Sequence, residues 1–293
     1  MGRLTRAWEK VAAEDGAPGP DGVGCAEWAW DWEDRLYDLH HALRKDAYRP
    51  GALREAKIPR PDGGTRTIHI ATTTDRVAMR AVHDALSGAV DDRFSDSAFG
   101  YRPGRGVADA VGEVVRLRSR GLLWVVDADI EDFFASIPHR PLLEAAWEWT
   151  SDRRLVRFVG RWLARCGTEA DPDRGLALGL PISPILSNVY LHTLDVRMRE
   201  SGWPIVRYAD DFCVFDRREP GARQARSAVE GVLSGLGLRL NDEKTAVRHF
   251  QDGFLFLGVM FDRRGQRIRA GTQWLPVEPD DDLWRDYLPP GYG

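Results

Sequence analysis

Cysteine is scarce in this sequence: Cys25, Cys166 and Cys213 are odd in number and lack CxxC spacing. That excludes a disulfide framework and argues against a cysteine-based zinc site, so a reducing compartment is expected. Lysine is nearly as rare, with Lys10, Lys45, Lys57 and Lys244 the only four of 41 basic residues. Arginine forks suit phosphate, although a GC-rich genome gives the same bias. No apolar run approaches the roughly 18 residues of a membrane span. The opening MGRLTRAWEK has no apolar signal-peptide core, so a cytoplasmic chain without a membrane partner is expected. No fixed-period repeat or long Pro/Gly-rich tract occurs, which excludes solenoids and flexible arrays. Nor does one sign of charge dominate. With 41 basic and 45 acidic side chains the net charge is −4, so any nucleic-acid footprint has to be local.

What is present is a folding chain. Its 293 residues, 43% apolar with 11 Trp and 11 Phe, suffice for one large domain or two joined ones. A short leading helix precedes the turn-rich GAPGPDGVG at 16–24, and a Trp- and Leu-rich helix is predicted over Cys25–Lys45. From Tyr48 to Ile70, two β-like runs flank PDGG, a hairpin signal. Between Arg44 and Arg66 seven basic residues face three acidic ones, a local excess on an acidic protein. Helical spacing recurs over Asp75–Val90, Gly106–Arg120, Pro141–Cys166 (one helix or two), Ser183–Arg199 and Ala222–Leu236. LLWVVD at Leu122–Asp127 reads as a buried strand, Pro204–Phe215 as a hairpin, and Arg239–Asn241 as a short extended piece. GFLFLGVMF at Gly253–Phe261 opens a last hairpin. The mixture is α+β with an antiparallel sheet.

Three carboxylates stand at predicted strand ends: Asp129 after the buried strand, and Asp210 and Asp211 at the hairpin turn. Carboxylates gathered there could share two divalent ions about 3.5–4 Å apart, which would activate a 3′-hydroxyl and stabilise departing pyrophosphate. The plain alternative is turn chemistry, because Asp favours turns. Against it, the flanking IVRY and FCVF would leave two charges beside a core with nothing to compensate them. Asp127 rivals Asp129, since strand residues two apart share a face.

The motifs in order resemble those of reverse transcriptases. VVDADIEDFFASIPH (Val125–His139), GLALGLPISPILSN (Gly175–Asn188), YADD (Tyr208–Asp211), GLGLRLNDEKT (Gly235–Thr245) and FLFLGV (Phe254–Val259) are similar to successive palm motifs. IPRPDGGTRTI and FGYRPGRG resemble the fingers motifs, and GAPGPDGV an N-terminal motif of the group II intron-like lineage. The resemblance implies a right-hand polymerase fold: an N-terminal extension at 1–47, fingers at 48–121, and a palm at 122–262 whose antiparallel sheet is backed by helices. It also implies a fingers-proximal segment at 170–182 and a short acidic tail or vestigial thumb at 263–293.

The implied activity is RNA-directed DNA polymerisation. Asp129, Asp210 and Asp211 would be the catalytic, metal-binding triad, with the carbonyl of Ile130 as a further ligand for two magnesium ions, or manganese in their place. Arg60 and Arg66 would reach the incoming dNTP, with a solvated hairpin face as the alternative for each. Phe134 would sit under its sugar or else pack in the core, Gly179 would allow close approach, and Lys244 would protonate pyrophosphate or simply be a solvated turn residue. Ser183, Pro184, Asn188 and Tyr208 would support template and primer, the alternative being an ordinary helix start. An RNA template and a DNA or RNA primer are the implied partners, lying along the fingers and the Arg-rich helix Arg153–Arg165.

The chain departs from the family where Ala177 and Leu178 replace Pro-Gln, and where Ala135 replaces an Asp. The layout also resembles stand-alone reverse transcriptases of CRISPR spacer acquisition or other antiviral defence, which implies an integrase-type protein partner or a homo-oligomer. Two other readings are a nucleic-acid-binding scaffold and a template-independent or protein-primed polymerase.

Overall fold

The computed structural model describes residues 1–59 and 64–281. The helices are α1 (Gly2–Glu14), α2 (Cys25–Trp28), α3 (Trp32–Arg44), α4 (Thr73–Val90), α5 (Val107–Ser119), α6 (Phe133–Ser136), α7 (His139–Thr150), α8 (Arg153–Leu163), α9 (Ser183–Glu200) and α10 (Glu219–Gly235). The strands are β1 (Arg54–Pro59), β2 (Thr65–Ile70), β3 (Trp124–Ala128), β4 (Ile205–Tyr208), β5 (Asp211–Asp216), β6 (Ala246–His249), β7 (Phe254–Phe256), β8 (Val259–Asp262), β9 (Gly265–Ala270) and β10 (Gln273–Pro276). None of the helices among the described residues is long and apolar enough to cross a membrane.

The chain folds as two compact units. The first comprises Met1–Asp92 and Phe134–Val189. There α1 buries Leu4, Ala7, Trp8 and Val11, a helical stripe, and packs on α4. The helix expected over Cys25–Lys45 is broken: a short 3₁₀ turn at Ala29–Asp31 separates α2 from α3. Pro141–Cys166 likewise divides, because Ser151 takes φ +51 and Asp152 caps α8, accepting from the N–H of Arg154 at 2.8 Å and of Leu155 at 3.1 Å. β1 and β2 form the predicted antiparallel hairpin. A buried network anchors the segment before it: the Tyr48 hydroxyl donates to Asp75 at 2.5 Å and accepts from the Trp162 indole at 2.9 Å.

Three arginines of α8, and Arg165 just beyond it, bind that same segment. Arg154 donates to the Leu43 carbonyl at 3.0 Å, Arg161 to the Tyr48 carbonyl at 3.0 Å, and Arg165 to the Pro50 carbonyl at 3.2 Å. Arg157 and Arg161 both pair with Asp46. These guanidinium groups, expected to lie along nucleic acid, are therefore engaged within the protein.

The second unit, Arg93–Phe133 and the residues from Tyr190 on, holds two four-stranded sheets ordered β4-β5-β3-β6 and β10-β9-β8-β7. Helix α10 packs on β3, β5 and β6. The core between these elements is aromatic: the Phe250 and Phe254 rings lie 5.1 Å apart edge-on, and Phe254 stacks on Phe261 at 5.2 Å. Within the segment from residue 263, expected as a short acidic tail or vestigial thumb, the last predicted hairpin continues as strands over Gly265–Pro276. There β9 pairs with β8 and β10 with β9, so the meander continues to Pro276. Its strands are mostly half-exposed, and RIRAG gives little apolar signal. The single extended piece expected at Arg239–Asn241 reduces to one bridge between Leu240 and Ile130.

Candidate active site

The register of β3 on β5 builds the site. The ladder's last pair is Ala128 with Phe212, so the next residues along the two strands are Asp129 and Asp211. On the other side of β5, Tyr208 pairs with Asp211, leaving Ala209 and Asp210 to make the reversal. Ala209 has φ +58 while Asp210 does not turn positive, the pattern of a type II′ hairpin turn. Asp129 is thus brought to the same end of one sheet as the adjacent pair Asp210 and Asp211.

Their electrostatics register the convergence. The Asp211 carboxyl is pushed well above the usual carboxylate range, first by desolvation and then by the charges of Asp127, Asp210 and Asp129; the backbone N–H of Leu257 opposes this. Burial pushes Asp127 up to about 6, against the pull of Arg248 and with the push of Asp129. Arg248 Nε stands 3.7 Å from Asp127 Oδ2. Lys244 Nζ stands 3.1 Å from Asp129 Oδ2, and Asn241 Nδ2 donates to that same oxygen at 3.3 Å. Asp127 and Asp129, open rivals in the sequence, therefore each have a cation of their own, and both contribute to the field at Asp211.

These residues fit hard divalent cations in chemistry. The side-chain donors are all oxygen, and the repulsion at Asp211 is of the kind that bound cations relieve. As they stand, no three carboxylate, imidazole or thiol side chains among the described residues are grouped to hold one ion, and Lys244 and Asn241 occupy one oxygen of Asp129. The bridge at Ile130 uses the Asp129 carbonyl, which accepts from the Asn241 N–H at 2.9 Å, and the Glu131 N–H, which donates to Arg239 at 3.0 Å. Neither bond uses the Ile130 carbonyl. Tyr208 is half-buried, its ring 6.4 Å from that of Tyr101.

The other expected residues lie in the first unit. Arg66 is exposed on β2, opposite Ile58; Arg60 lies outside the described residues. Of the phenylalanine pair, Phe133 takes the core position and Phe134 is half-exposed. Gly179, at φ +98, comes so close to β2 that an added Cβ would stand 2.8 Å from the His69 carbonyl oxygen. His69 in turn donates its N–H to the Leu178 carbonyl at 2.7 Å. Ser183 is buried and donates to the Ala177 carbonyl at 2.7 Å. Pro184 is half-buried in the first turn of α9, and Asn188 is buried.

Two contributors escaped the sequence: Asn241 and the Leu257 N–H. Asn241 sits beside the recognised Lys244, yet nothing in LNDEKT announces that its amide points back to β3. The Leu257 contact is made by backbone, to which side-chain identity gives no direct clue.

The model of the family described as reverse transcriptase (RNA-dependent DNA polymerase) matches residues 58–261. The chain belongs to this family. Protein YkfC of Escherichia coli K12 is 30% identical over 295 residues, covering 85% of this chain and 77% of that protein. The group II intron-encoded protein LtrA of Lactococcus lactis subsp. cremoris is 26% identical over 168 residues, covering 56% of this chain and 28% of LtrA. This chain thus matches little more than a quarter of the intron protein. Among solved structures, telomerase from Candida tropicalis superposes with a TM-score of 0.54 at 11% identity, covering 78% of this chain and 46% of that one. That likeness concerns the fold, and it agrees with the fingers and palm implied by the motifs.

Proposed function

We propose that this reverse transcriptase extends a primer 3′ end with dNTPs on an RNA template, with Asp129, Asp210 and Asp211 as its catalytic carboxylates. The observation that carries the reading is the register that brings Asp129 to the end of the sheet where Asp210 and Asp211 turn; burial first, and then the charges of Asp127, Asp210 and Asp129, raise the pKa of Asp211. A binding scaffold has no need to hold such repulsion. The three side chains and the Ile130 carbonyl would hold two magnesium or manganese ions, which when bound supply charge for the attacking and leaving oxygens. Asn241 and Lys244 fix the orientation of the Asp129 carboxylate. Lys244, an ammonium within reach of the site, is placed to give a proton to departing pyrophosphate. Arg66 offers a fork for triphosphate oxygens, and the half-exposed Phe134 ring a flat wall for a sugar.

The test is primer extension on an RNA template. Asp210→Asn with Asp211→Asn should abolish addition while the thermal melt is retained, because charge changes and volume hardly does. Retained synthesis would discard the assignment. Omitting the template separates templated copying from template-independent or protein-primed synthesis. An antiviral setting, with an integrase-type partner or a second copy of this chain, belongs to the same proposal and rests on the resemblance in sequence layout. Two checks test it: whether a reading frame beside this gene encodes an integrase, and whether the two products co-purify.

A further inference from the structure

Arg207 and Asp195 form an ion pair with both side chains 0% exposed. The fork is bidentate: Nε to Oδ1 at 2.7 Å and Nη2 to Oδ2 at 2.6 Å. Burying two charges costs desolvation that a well-packed apolar pair avoids, so stability alone does not account for them. The guanidinium has another contact. Its Nη1 donates to the carbonyl of Ala209 at 3.0 Å, two residues further along the chain and directly before Asp210.

That carbonyl belongs to the residue with the exceptional backbone. Ala209, at φ +58, occupies a turn position that favours glycine. It is clasped on a second side, where a Cβ on Gly100 would stand 2.7 Å from the Ala209 nitrogen. The strand before it is pinned as well: the Arg207 N–H donates to Ser97 and its carbonyl accepts from Phe99, both at 2.8 Å. Because Asp195 neutralises Arg207 at close range, the pair imposes a shape on the turn without adding net charge beside the carboxylates.

We infer that Asp195 and Arg207 are positioning residues, which hold Ala209 in its left-handed conformation and thereby aim Asp210 and Asp211. Asp195 orients the guanidinium, and the guanidinium fixes the turn. The inference rests on the proposed catalytic role of those two aspartates.

Four variants test it, each assayed by RNA-templated primer extension, thermal melting and Mn²⁺ binding read by electron paramagnetic resonance. Arg207→Lys keeps the charge pair and loses the fork, so that one ammonium cannot serve Asp195 at two points and Ala209 as well. The double change Arg207→Met with Asp195→Leu removes both charges in similar volume. In each, kcat should fall by about 30- to 100-fold with KM for dNTP little changed, as for a catalytic group displaced by about an ångström. Mn²⁺ affinity should fall with it. Ala209→Gly alone should stay within about threefold of the parent, since glycine adopts positive φ without strain. Combined with Arg207→Lys, it should restore about tenfold of the lost kcat, because the turn no longer needs forcing.

A purely structural pair would lower melting temperature and activity together, with no rescue by Ala209→Gly; that result overturns the inference, as does parental kcat and Mn²⁺ affinity in the apolar double variant. If the double variant fails to fold, Arg207→Lys with and without Ala209→Gly decides alone. The underlying catalytic reading fails separately, if Asp210→Asn with Asp211→Asn leaves synthesis intact.

Discussion

Replacing Gly179 by alanine separates two roles that the sequence left joined, support of the incoming nucleotide and close packing on β2. The residue stands at φ +98, and its new Cβ would lie 2.8 Å from the His69 carbonyl oxygen and 3.4 Å from the His69 nitrogen and the Ile68 Cβ. Holding a non-glycine residue in so sparsely populated a conformation costs about 1–3 kcal/mol. Relieving a contact with backbone, which cannot rotate away, costs about another 1–3 kcal/mol, and the narrower unfolded ensemble of alanine returns about 0.5 kcal/mol. The expected loss is about 2–5 kcal/mol, with strain on the 2.7 Å bond from His69 to Leu178. At about 2–4 °C per kcal/mol for a unit of this size, the melting transition should fall by roughly 5–15 °C. Differential scanning calorimetry measures it, and primer extension with varied dNTP supplies KM for the same sample. A melting temperature within about 2 °C of the parent, together with a raised KM, would refute the packing argument and leave nucleotide contact as the reason for glycine.

Asn241→Ala should lower kcat by roughly tenfold through the lost bond to Asp129, measured by single-turnover extension; an unchanged rate would show that Lys244 alone orients that carboxylate. Phe134→Ala should admit ribonucleotides, read as incorporation of rNTP against dNTP, and unchanged discrimination would return the ring to a packing role. Tyr48→Phe removes the hydroxyl between Asp75 and Trp162 and leaves buried partners unmet, so urea unfolding should show a loss of about 1–3 kcal/mol; no loss would mean that the network contributes nothing net.

The sequence showed the carboxylates because each is tied to local signals: a β-rich apolar run before Asp129, and a two-residue turn between strands at Asp210. Register then did the rest, and register follows from side-chain alternation. The hairpin β1–β2 and helices α4, α5, α9 and α10 were legible for the same reason, through periodicity and turn chemistry. What escaped was non-local or weakly patterned. β6 and β9 are short strands carrying arginines and β10 is a four-residue edge strand ending in proline, and the divisions at Asp31 and Ser151 depend on single residues leaving helical geometry. Arg207 is the charged residue of the otherwise apolar IVRY; its carboxylate partner Asp195 arrives from α9, and eleven intervening residues hide that meeting. The arginines at 153–165 suggested phosphate, but carbonyls of 43–50 and the Asp46 carboxylate claim Arg154, Arg157, Arg161 and Arg165.

The placement of β3 bears on how this gene can change. Bonded to β5 on one edge and β6 on the other, it has no free side along which to slide. Deleting or inserting one codon between Trp124 and Ala128 would turn Asp129 to the opposite face relative to its ladder partners. Descendants of this gene can therefore lengthen its loops with far greater freedom than they can alter the spacing of these five residues.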